Sequence, residues 1–143
     1  MSGKPSLRIA HYVASLPLRP GLRVLEVGCG PGAAAREISR HIGDGKVVAI
    51  DRSANAIDMA TRRSRAELEA SLLEFRNIAV EDFELQDGDE RFDLAFAMRV
   101  GALDGRHPEA EKPALNRLQA ALKPDRLLFV DSRPPIRGRD IAV

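Results

Sequence analysis

The stretch VLEVGCGPG, Val24 to Gly32, constrains this chain more than any other. It joins an apolar, β-branched run to a turn with glycine at positions 28, 30 and 32. A run without polar alternation reads as a strand buried on both faces. Glycines directly after such a strand serve where a ligand approaches the backbone closely, or where φ must be positive. One acid, Glu26, interrupts the strand just before the turn. Whatever binds at the turn has to account for it.

The rest of the chain extends the pattern. Pro5–Leu16 reads as an amphipathic helix, with Ile9, Val13 and Leu16 on one face. Leu22–Val27 is the first strand, and a helix follows over Ala33–Ile42. Lys46–Ile50 is a second buried strand closing on Asp51, and Ser53 caps a long helix over Ala54–Ala70. A third strand lies within Leu72–Val80, and a fourth is Phe92–Met98. Gly101–Lys112 reads as loop, with Pro113 in the first turn of a helix whose face carries Leu115, Leu118 and Leu122. Lys123-Pro124 ends that helix, and Leu127–Asp131 is a fifth strand. Apolar strands alternating with helices predict an α/β fold: a doubly wound, mostly parallel sheet of about five strands.

The 143 residues suit one domain, 1–143, with one core. A net charge of +1 gives no broad basic field, so nucleic acid is not indicated. The single cysteine, Cys29, cannot form an internal disulfide, which suits a reducing, cytoplasmic setting. The N-terminal MSGKPSLRIAHYVASL is too polar for a signal core, and no apolar run has membrane-spanning length. His11, His41 and His107 show no metal-site spacing.

The string from Gly28 also satisfies G-x-G-x-x-A, so a dinucleotide is one reading of the turn. Asp51, at the end of the second strand, suits ribose hydroxyls in either case. Glu26 separates the readings. Its carboxylate would repel a pyrophosphate, and it would favour a ligand with a cationic end. S-adenosylmethionine (SAM) carries a sulfonium and an ammonium at one end and adenosine at the other. Glu26 would serve the cationic end, the helix N-terminus after the turn the carboxylate, and Asp51 the ribose. An NAD-type dehydrogenase is disfavoured by Glu26 and by the lack of a substrate domain.

Val24–Gly32 resembles motif I of the class I SAM-dependent methyltransferases, whose fold is Rossmann-like. Further features in the same order strengthen the resemblance. Asp51 fits the family's ribose-binding acid. AVEDFEL (Ala79–Leu85) is similar to the segment after its third strand, RFDLAFAM (Arg91–Met98) to its fourth-strand motif, and LQAALKPDRLLFVD (Leu118–Asp131) to its last helix, Lys-Pro turn and fifth strand. The resemblance implies that Glu81 reads the adenine amino group and that the Asp82 backbone N–H reaches the ring. It is nearest to small-molecule enzymes of the ubiquinone and menaquinone biosynthesis type. Arg52 is a candidate to lie over the adenine, and Met98 to line the cofactor pocket. Tyr12 of the first helix is a weaker candidate for the cofactor, core packing being the stronger expectation.

Two departures stand out. Lys123-Pro124-Asp125-Arg126 replaces the family's Lys-Pro-Gly-Gly turn. The family's seven-stranded sheet ends in a strand hairpin, for which the residues after Asp131 leave no room. The fifth strand would then lie bare at the sheet edge, where unpaired backbone groups invite pairing. Either Arg139–Val143 covers that edge or two chains pair there as a homodimer. The expected function is methyl transfer to a small-molecule acceptor, with contacts sought over Met98–Pro108 and Arg99 and His107 as candidates. No catalytic base is nominated, and Cys29 reads as a steric choice. The alternative is a cofactor-binding or assembly module acting with a partner chain.

Overall fold

The computed structural model describes residues 4–142. Met1–Gly3, which open the polar N-terminal stretch, and Val143, the last residue of the expected edge cover, lie outside them. Ser6 caps the first helix, α1 (Leu7–Ser15), its side chain accepting from the Ile9 N–H. Strand β1 (Arg23–Val27) leads through the glycine turn into α2 (Ala33–Ser39). Strand β2 (Lys46–Asp51) follows, and Ser53 caps α3 (Ala54–Arg63) as expected. After α4 (Arg65–Glu69) come β3 (Leu73–Asn77) and a 3-10 turn over Val80–Asp82. Strand β4 (Phe92–Ala97), helix α5 (Pro108–Ala121), strand β5 (Leu122–Val130) and a two-residue strand β6 (Ile136–Arg137) complete the order, with a final 3-10 turn at Gly138–Asp140.

The six strands form one sheet in the order β3-β2-β1-β4-β5-β6. The first five are parallel, and β6 is antiparallel to β5. Central β1 is flanked on both sides, so Glu26 lies opposite Ala49 of β2 and Phe96 of β4. Alternate residues of each strand enter opposite cores. Leu25, Val27, Val48 and Ile50 pack with Leu118 of α5, while Val24, Val47 and Phe96 pack with Val13 of α1 and Ile38 of α2. Full burial of such side chains contributes about 2 kcal/mol each. Glu26 shares the parity of Val24 and so turns toward the α1 and α2 side. No helix among the described residues is long and apolar enough to cross a membrane.

Four expectations need correction. The helix expected over Ala54–Ala70 breaks at Ser64, whose fully buried hydroxyl accepts a bond of 2.9 Å from Arg36 Nη1. Residues from Pro108 onward are helical rather than loop: Pro108 begins α5, and Pro113 lies inside it, costing one internal N–H bond. No turn separates α5 from β5, because Lys123–Arg126 form an irregularity within the strand, where the β4–β5 register shifts. The sheet has six strands rather than five. Ile136 and Arg137 pair with Leu128 and Leu127, so the tail takes the edge earlier than expected, through residues that precede Arg139. Ile141 then buries against the α5 side, its carbonyl accepting from Gln119 Nε2 at 3.1 Å.

Candidate cofactor site

The site lies beyond the carboxyl ends of β1, β2 and β4, around the glycine turn. The turn is fixed by its own hydrogen bonds. The Gly28 and Cys29 N–H groups both donate to the Ile50 carbonyl, at 2.8 and 3.0 Å. Gly30 N–H donates to Asp51 Oδ2 at 2.9 Å, and Ser53 N–H to Oδ1 at 2.8 Å. Asp51 therefore clamps the turn as well as facing the cleft. Each of its oxygens keeps a lone pair for a further donor. Gly30 has φ +51, and a methyl group added there would meet nothing within 4 Å, so its Cα borders open space. Gly28 has φ +76, and a methyl group on it would stand 2.7 Å from Val100 Cγ2, so both backbone and packing disfavour a side chain there.

Two cavities meet at this turn. The larger, of about 680 Å³, is lined by Gly28, Gly30, Asp51, Arg52, Glu81 and the loop after β4, including Arg99 and His107. That volume suits a small organic ligand. The smaller, of about 190 Å³, lies under α1 and is lined by Glu26, Gly28, Gly30, Met98, Arg99 and Arg8, among others. Gly28, Gly30 and Arg99 line both.

Glu26 is only 4% exposed, and its Oε1 has no hydrogen-bond partner. Burial first, and Asp51 second, push its carboxyl well above the ordinary carboxylate range, against the pull of Arg36. A buried, unpartnered acid of this kind is costly unless a cation or donor meets it. The cationic end of SAM fits that requirement, and open Gly30 fits close approach of the ligand to the backbone.

The expected residues divide in three. Glu26 and Met98 line the small cavity, while Asp51, Arg52 and Glu81 line the large one. Asp82 lines neither. It is exposed, and the N–H nominated for the adenine ring donates to the Ala79 carbonyl at 3.0 Å, closing the 3-10 turn. Cys29 is buried, and burial, Glu26 and Asp51 raise its thiol far above the ordinary value, so it forms no ready nucleophile.

Two contributors escape sequence reading, and a third, Tyr12, entered it only as a weaker candidate. Arg36 of α2 reaches back to the Pro31 carbonyl at 2.8 Å and ties the turn to Ser64. Tyr12 of α1 packs its ring 5.9 Å from Phe96 and buries a hydroxyl without a partner. That hydroxyl is pushed up to about 12 by burial, Asp131 and Glu26. Asp131, just past β5, accepts the Arg99 N–H at 2.8 Å. None of the three stands in a local pattern that singles it out.

This arrangement of sheet order, glycine turn and paired strand-end acids is that of a class I methyltransferase fold. Residues 24–125 match the family described as "Methyltransferase domain", and the chain belongs to that family. It is 39% identical over 96 residues to a probable cobalt-precorrin-6B C(15)-methyltransferase (decarboxylating) of Thermoplasma acidophilum, covering 65% of this chain and 45% of that protein. It is 34% identical over 116 residues to a ubiquinone biosynthesis O-methyltransferase of Rhodopseudomonas palustris, covering 81% and 42%. The solved structure of coclaurine N-methyltransferase bound to N-methylheliamine and SAH superposes with a TM-score of 0.69 at 18% identity, over 86% of this chain and 34% of that one. The chain spans less than half the length of the two curated relatives.

Proposed function

We propose that this chain binds SAM and supports methyl transfer to a small-molecule acceptor. One observation carries the reading: Glu26 Oε1, buried without a partner, stands at the wall of the cavity beside the glycine turn. Membership of the methyltransferase family supports it, as do relatives whose names describe C- and O-methyltransferases of small molecules. Bound SAM would supply an electrophilic methyl on a sulfonium. The residues of this chain supply position and charge. Glu26 meets the cationic end, Asp51 faces the ribose, and Glu81 faces the base. Orientation supplies much of the acceleration in such a transfer. No side chain at the site is assigned as a base. The lone buried thiol suits a reducing compartment, and we place the protein in the cytoplasm on that ground.

The alternative, a cofactor-binding or assembly module acting with a partner chain, draws on the missing strand hairpin; Ile136–Arg137 cover the β5 edge at Leu128 and Leu127 and do not replace that hairpin. Isothermal titration with SAM and with SAH, its demethylated product, tests the proposal, with NAD as control. Micromolar binding of both, weakened at least about tenfold in Glu26→Ala, is the expected result. A well-folded protein that binds neither, or that prefers NAD, overturns it.

A further inference from the structure

Arg99 stands where the two cavities join. Its backbone is left-handed, with φ 54, a conformation rarely adopted outside glycine and one that costs free energy. Surrounding groups enforce it. Its N–H donates to Asp131 Oδ1 at 2.8 Å, and its carbonyl accepts from Arg106 Nη2 at 2.6 Å. Asp131 is itself left-handed, with φ 49, and its N–H donates to the Ala97 carbonyl at 2.9 Å. Two strained residues at the ends of adjacent strands thus brace one another, and together they fix the root of the Arg99 side chain.

The guanidinium itself is left unused. Arg99 is exposed and makes no ion pair among the described residues. Nearby acids have other duties: Asp104 takes Arg106 Nε with both of its oxygens, and Asp131 spends Oδ1 on the Arg99 backbone. His107 is a poorer anchor for a ligand, since its ring packs on Gly101 and its Nδ1 lies 3.7 Å from Glu109.

Charge balance then defines what Arg99 faces. Resting on the SAM reading above, Glu26, Asp51 and Glu81 serve the cofactor. A guanidinium rooted at the rim of a site that takes a sulfonium adds like-charge repulsion unless an anion enters between them. A planar fork of donors pairs bidentately with an oxyanion, a carboxylate as readily as a phosphate. We propose that Arg99 anchors an anionic oxygen group on the methyl acceptor, a carboxylate being its simplest form, so that the acceptor is a small organic acid.

Binding of benzoate and of its neutral counterpart benzamide tests this, on the full chain with and without saturating SAH. Benzoate is expected to bind about tenfold more tightly than benzamide. Arg99→Gln should abolish the difference, and Arg99→Lys should restore part of it, lacking the two-pronged fork. Arg117→Gln, which removes a surface pair with Glu84 and lies outside both cavities, should leave it unchanged. SAH affinity in Arg99→Gln should stay close to that of the parent. Equal binding of the two probes, no benzoate binding at millimolar concentration, or a preference that survives Arg99→Gln overturns the proposal. Failure to bind SAH, with the benzoate preference intact and lost in Arg99→Gln, instead sinks the cofactor reading and leaves the anion site standing.

Discussion

Glu26 is a buried acid whose proton is held by its surroundings. Its carboxyl titrates well above the ordinary value of 4.5 in the folded chain, through burial and then Asp51. The folded state therefore binds more protons than the unfolded state between that ordinary value and the raised one. The corresponding stability is present in full below the ordinary value and is lost as pH rises toward the raised one. Glu26→Gln has no such proton to lose. The expected outcome is that this variant gains progressively on the parent in melting temperature as pH rises above 5. Thermal melts of both proteins over that range would decide it, and a constant gap counts against the assignment. Glu74 and Asp89 do not blur the result, because the Arg76 guanidinium holds both below the usual range and they titrate on the acid side of the window. At this scale the sequence was informative where function is written locally. An acid beside three glycines is visible in a string of nine residues. Arg36 and Asp131 were not visible, because no local pattern marks either one, and Tyr12 stood only as a weaker candidate.

Among the elements, the glycine turn is held by α2 as much as by β1. Arg36 bonds both the Pro31 carbonyl and the buried Ser64 hydroxyl, so one side chain spans the turn and the α3–α4 break. Arg36→Met keeps the apolar stem and removes both bonds. It leaves the Ser64 hydroxyl buried without its donor, at a cost of about 2 kcal/mol. Chemical denaturation measures this directly, and a change within about 0.5 kcal/mol would show that the staple is dispensable. The same staple explains why one long helix could be read over Ala54–Ala70 where two stand. Periodicity reports which face is apolar, but the break answers to a partner in another helix. The start of α5 was hidden for a related reason. Pro113 is a plausible first-turn residue, and so is Pro108; the structure uses Pro108 for that role and tolerates the other within the helix. By contrast, β1, β2 and β4 were legible to within a residue, since strands buried on both faces carry continuous apolar runs.

For the whole molecule, the question the sequence left open was how the sheet ends. The tail closes it with two paired residues and one buried anchor, Ile141. Removing residues 132–143 exposes the unpaired backbone edge of the apolar strand β5. The expected outcome is self-association that grows with concentration, together with a lower melting temperature. Sedimentation velocity on the shortened chain checks this, and a monomer at every concentration would show that β5 needs no cover. The pairing was hard to read because β6 is short and lies in a segment rich in proline and arginine, where neither apolar period nor propensity marks a strand.

The course of that tail has a practical side. It runs antiparallel to β5, and Gly138 comes to rest against the Lys123 carbonyl, at the end of the sheet opposite the glycine turn. A linker joined beyond Ala142 would leave from the floor of the molecule. Anchored to a sensor surface by that linker, the protein would stand with its cleft facing the flowing solution.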